Sequence, residues 1–177
     1  MIIILTIYRR MKLALATKKS LINTGVKSEE IMIIEGFDKL DFPDMNMRHR
    51  LVTRAFFERW LPLALQLHEH CYYVEDGTLF NENPLLINKQ YNKINWLGYI
   101  FNQKHYTCGA KCIYFPREII KLLMFEPPEK KRMGHIDRVI RKYGEERDIL
   151  YVLHSSIIYQ MHYKSEWGTK HIMETKV

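Results

Sequence analysis

Acidic residues are missing from two long stretches of this chain. Residues 1–28 carry six Lys/Arg and residues 83–117 carry five, and neither stretch holds an Asp or Glu. The 20 acids lie elsewhere: residues 29–82 hold 11 of them against five bases, and residues 118–177 hold nine against 11. With a net charge of +7, this blockwise separation predicts an anionic partner rather than charge spread for solubility. Cysteine is scarce. Cys71, Cys108 and Cys112 are an odd number, which argues against a disulfide framework and suits a reducing, cytoplasmic setting. No apolar run approaches the roughly 20 residues of a membrane span. The short one at residues 1–8 precedes Arg9 and Arg10, whereas a secretory leader puts its charge first, so no membrane is expected. Phosphate-loop, dinucleotide-fingerprint, nucleophile-elbow and calcium-loop motifs are all absent.

What is present is enough for one folded domain: 177 residues, 47% hydrophobic, expected over 1–163 with a subdomain break near 81–84 and a polar tail at 164–177. Ile2–Tyr8 is β-branched and apolar without alternation, which predicts a strand buried on both faces. Met11–Asn23 has helical apolar spacing and Gly25 near its stop. Glu29–Phe37 is ambiguous between strand and helix. Leu51, Ala55, Phe56, Trp60, Leu63 and Leu67 mark the main helix, about 46–68, kinked by Pro62. "YYVEDGTLF" follows, and Asp76-Gly77 suits a tight hairpin turn. Tyr91–Phe101 has helical spacing at Ile94, Leu97 and Phe101, Tyr106–Phe115 looks extended, and short helices are expected at Glu118–Phe125 and Gly134–Tyr143. The reading is α+β: a single compact domain with a central helix, a following β-hairpin and additional short helices.

The second acid-free stretch dominates the functional reading. Between Asn88 and Arg117, lysines alternate with seven aromatic rings. Cations neutralise phosphates and flat rings stack on bases, so Lys89, Tyr91, Lys93, Trp96, Tyr99, Lys104, Tyr106, Lys111 and Arg117 are the expected nucleic-acid contacts. Neutral Asn92 and Asn95 would add hydrogen bonds, and Arg9, Arg10, Lys12, Lys18 and Lys19 would extend the footprint. The preferred function is therefore a non-enzymatic nucleic-acid-binding or nucleoprotein-binding protein. The same surface would alternatively serve an interaction or inhibitor module against an acidic partner.

Two minor constellations carry chemistry. His68, His70, Cys71, Cys108 and Cys112 are residue types that zinc accepts, but their spacing fits no standard site, so no cofactor is expected beyond that zinc alternative. His105-Tyr106-Thr107 and His154-Ser155-Ser156 resemble the His-x-Thr/Ser pairs of two-histidine phosphoesterases. That resemblance implies an enzyme acting on RNA or a cyclic nucleotide, with His105 and His154 as general acid and base and Thr107 and Ser156 holding phosphate oxygens. Glu75-Asp76 is assigned to its turn rather than to paired-carboxylate catalysis.

Overall fold

The computed structural model describes residues 1–38, 42, 48–67, 70–101, 104–106, 110–128, 135–153 and 157–160. Its centre is a strand. β1, Ile2–Thr6, is buried at every position, as expected for an apolar run flanked on both sides and covered on both faces. It pairs in parallel with β2, Ile31–Glu35, and with β3, His70–Glu75. β8, Cys112–Pro116, lies antiparallel between β3 and β5, Ile94–Leu97, and β9, Leu150–Leu153, closes the edge parallel to β5. The six-stranded sheet thus runs β2-β1-β3-β8-β5-β9. Two small sheets accompany it, formed by β4, Thr78–Phe80, with β10, Ile158–Gln160, and by β6, Tyr99–Phe101, with β7, Lys104–Tyr106.

Alternating side chains bury both faces of the large sheet. On one face, Ile3, Leu5, Cys71, Tyr73, Trp96, Ile113 and Phe115 meet α2 (Arg48–Ala55), α3 (Leu61–Leu67), α4 (Arg117–Phe125) and α5 (Ile136–Glu146). On the other, Ile2, Ile4, Tyr72, Val74, Leu97, Cys112 and Tyr114 meet α1 (Met11–Asn23), β4 and β10. A π-helical turn, Phe56–Trp60, joins α2 to α3, and the Leu61 N–H reaches back to Phe56 O. The widened turn accommodates Pro62 in a continuous helical rod, because a proline has no N–H to give to a regular ladder. It also stacks Phe56 on Trp60 at 5.0 Å, with the rings 12° from parallel. The Trp60 indole N–H donates to Ile3 O at 3.3 Å, which anchors the rod to the central strand.

This architecture corrects the expected fold class. The helix over 48–67 exists, but the organising element is a mixed sheet with parallel strands at its heart, not a central helix with a hairpin. The Asp76-Gly77 turn also exists, with Gly77 at φ 76°, where a side chain would be strained. Its two arms belong to different sheets, however, since β3 pairs with β1 and β8 while β4 pairs with β10. The helix expected over Tyr91–Phe101 is two strands instead. Asn95, buried within β5, holds the preceding turn closed by donating to Gln90 O and Lys93 O, each at 2.7 Å, and accepting the Gln90 N–H at 2.8 Å.

Candidate functional site

The order β2-β1-β3 places the site. The chain leaves β1 through α1 to reach β2 on one side, then returns through α2 and α3 to reach β3 on the other. α1 packs on one face of the sheet and α2–α3 on the opposite one. In open sheets of this kind the crevice lies beyond the carboxyl ends of the strands where the order reverses. Here that point falls between β1 and β3, and the residues leaving those ends are charged.

Beyond β1 come Tyr8, Arg9 and Arg10 in a single 3-10 turn, and α1 starts immediately after them. No side chain caps the start of α1, and no acid lies in its first turn. The preceding turn runs straight into it, with the Arg10 N–H given to Ile7 O and the Met11 N–H to Tyr8 O, so what this helix end offers is its positive dipole rather than open amides. Tyr8 is 75% exposed. Beyond β2, Asp38 takes Arg9 in a two-pronged ion pair, Nε and Nη2 each at 2.7 Å from a carboxylate oxygen. Such fork-to-fork pairing fixes the guanidinium plane.

The tip of β3 carries two carboxylates. Asp76, only 5% exposed, is ion-paired with Arg10 and accepts the Thr6 hydroxyl at 2.6 Å. Burial pushes its carboxyl up to about 6, against the opposing pull of Arg10 and Thr6. Glu75 pairs with Lys111 at 2.6 Å, and its backbone N–H donates to Lys111 O at 3.1 Å. The backbone is equally tight around these groups. Gly36 N–H donates to Thr6 O at 2.6 Å and Asp76 N–H to Leu5 O at 3.3 Å, so the exits of the parallel strands are stapled together. The result is a charged cluster at the carboxyl ends of the parallel strands: an exposed ring, the positive end of a helix, and three carboxylates, Asp38, Glu75 and Asp76, engaged by Arg9, Lys111 and Arg10.

The residues singled out from the sequence fall elsewhere. Trp96 is buried in the core, 1% exposed, so neither face of its indole is open to a base. Lys89 donates to Leu85 O at 2.7 Å and lies 5.7–6.0 Å above the rings of Tyr72, Tyr91 and Tyr114. Its cation meets aromatic faces of its own chain. Lys93 pairs with Asp148 at 3.4 Å and Lys111 with Glu75. Tyr91 is exposed on the surface, and Arg117 is exposed at the start of α4. Tyr99, Lys104, His105 and Tyr106 sit in the β6–β7 ribbon, with side chains outside the described part. Thr107, His154 and Ser156 lie outside the described residues. So do His68 and Cys108, whereas His70 is exposed. Cys71 and Cys112 are buried on opposite faces of the sheet, which keeps them from sharing a zinc ion. Among the described residues, no three of His, Cys, Asp and Glu converge as a metal site would require.

No protein-family model and no curated protein matches the sequence. Solved structures do. The chain is similar to a glycosyltransferase involved in the glycosylation of the major capsid of PBCV-1, with a TM-score of 0.57 and 13% identity, covering 90% of this chain and 91% of that one. It is also similar to the glycosyltransferase GlyE of Streptococcus pneumoniae TIGR4, with a TM-score of 0.50 and 11% identity, covering 86% of this chain and 44% of that one. At these identities the likeness is one of fold, a glycosyltransferase-type α/β sheet. It overturns the expected nucleic-acid-binding function. The buried Trp96 explains why the aromatic-basic pattern misled, since a ring needed for stacking is spent in the core. Among the described residues, no helix is long and apolar enough to cross a membrane.

Proposed function

We propose that this chain is a glycosyltransferase whose donor is a sugar carried on a nucleoside diphosphate, bound at the carboxyl ends of β1, β2 and β3. One observation carries the reading. In a fold shared with glycosyltransferases, the reversal point of strand order presents Arg9, Arg10 and the positive end of the helix they lead into, with no acid in its first turn. Phosphate oxygens suit that combination, because a helix dipole and guanidinium charge both favour anions. Tyr8, exposed beside them, offers a flat face for the nucleobase. The buried thiols of Cys71 and Cys112, both free, support placing the protein in the cytoplasm.

The chemistry follows from the charges. An acceptor hydroxyl oxygen attacks the anomeric carbon and forms the new C–O bond. The bond from that carbon to the phosphate oxygen breaks, its electron pair stays on the released diphosphate, and the acceptor's proton passes to the diphosphate or to water. Charge builds on the leaving diphosphate in the transition state. Fixed cations aimed there stabilise it without reorganising. Arg10 is held for that task by Asp76 and Arg9 by Asp38, so each carboxylate acts as a positioning residue for a guanidinium.

The test is release of nucleoside diphosphate from a panel of nucleotide sugars, with and without added acceptor sugars. The reading expects turnover with at least one donor, and a loss of about 100-fold or more in the folded Arg10→Ala variant, matching the removal of one preorganised charge contact. Absence of both turnover and binding across the panel would refute it.

A further inference from the structure

Glycosyl transfer from a diphosphate commonly enlists a divalent cation, held by one or two carboxylates and bridging the phosphate oxygens. The carboxylates here do not fit that role. Asp76 is committed to Arg10 and to the Thr6 hydroxyl, and Glu75 to Lys111. Lys111 is itself only 9% exposed, and its carbonyl accepts from the Glu75 N–H and, at 3.4 Å, from the Thr78 hydroxyl. A cation entering at Glu75 would strand this ammonium in a site with little water. Taking the partner from an ammonium held in such a partly buried ion pair is unfavourable. No third His, Cys, Asp or Glu joins the two acids among the described residues.

Resting on the glycosyltransferase reading, we infer that this site binds the diphosphate of its donor without a divalent cation. Arg9, Arg10 and the start of α1 supply the positive charge, and Lys111 holds Glu75 out of metal coordination. The ion pair at the tip of β3 thus stands where a carboxylate–metal–phosphate bridge would otherwise form. Among the described residues of the site, divalent ions then have no uncommitted carboxylate to bridge to the phosphates, and donor affinity becomes a matter of the chain's own cations and of ionic strength.

Calorimetric titration of the full chain with uridine, guanosine, cytidine and thymidine diphosphates decides this, each in EDTA and again in millimolar Mn2+ or Mg2+. The inference expects at least one nucleotide to bind in EDTA, with a dissociation constant that changes less than about twofold when the cation is added. Binding only with the cation present would overturn the inference and leave the glycosyltransferase reading standing. Binding of no nucleotide under either condition would remove that reading, and the inference with it. A second arm uses Lys111→Gln, checked for folding by circular dichroism. Freeing Glu75 should make nucleotide affinity respond to Mn2+ by about tenfold. A folded variant as indifferent to Mn2+ as the parent would show that Lys111 is not what keeps the cation away.

Discussion

Asp76 shows most clearly how single residues set the chemistry here. Its carboxyl is raised from 3.8 to about 6, first by burial. Between those values the folded chain holds a proton that the unfolded chain has released. This group therefore favours folding most below about pH 4, and that contribution falls as pH rises to about 6, then stays constant. Asp76→Asn removes the titration. Urea denaturation from pH 4 to pH 7 should show the parent losing stability across that interval relative to the variant; parallel curves would contradict the assignment. Tyr8 supplies a second test at this scale. Replacing it with Ala should raise the KM for the nucleotide sugar about tenfold with little change in kcat, since stacking a base is worth about 1–3 kcal/mol and acts on ground and transition states alike. An unchanged KM would leave Tyr8 without a role.

Elements were legible where local physics decides them. β1 announced itself by a β-branched run without alternation, and Met11–Asn23 by its apolar spacing and the glycine beyond it. The helix stands as expected and the strand does so from Ile2 to Thr6, Tyr8 belonging instead to the 3-10 turn that follows. β5 was not legible. Ile94, Trp96 and Leu97 are buried on both faces and Asn95 is buried to close a turn, so no alternation was available to separate a strand from a helix. β3 and β4 failed differently. Their turn was visible, but their partners are strands far away in the chain, and pairing at that range leaves no mark in a local window. Gly36 ties the elements of the site together. A Cβ there would stand 3.2 Å from both Ala55 Cβ and Thr6 O, so the glycine lets β2, β1 and α2 meet. Gly36→Ala should cost about 1–3 kcal/mol through overpacking, read as a lowered denaturation midpoint. A neutral result would mean that α2 shifts freely.

For the molecule as a whole, the charge pattern pointed first to a stretch that packs into the fold. The acid-free residues 1–28 contain the candidate phosphate contacts, Arg9 and Arg10, whereas the described residues of the aromatic-basic stretch at 94–98 and 110–116 are buried inside the fold. Glu75-Asp76 was dismissed as a turn because its meaning depends on Arg10, Thr6 and Lys111, which approach only once β1 and β8 flank β3. The usable signal was weaker: a buried strand followed by two arginines and then a helix with no acid in its first turn.

The measurement closest to the central claim is a map of backbone amide chemical-shift changes as a nucleoside diphosphate is titrated into the labelled protein. The account predicts changes concentrated at Thr6–Met11, Gly36–Asp38 and Glu75–Gly77, with Lys111 beside them. Changes gathered instead along residues 88–106, or scattered without reference to the carboxyl ends of the parallel strands, would contradict it.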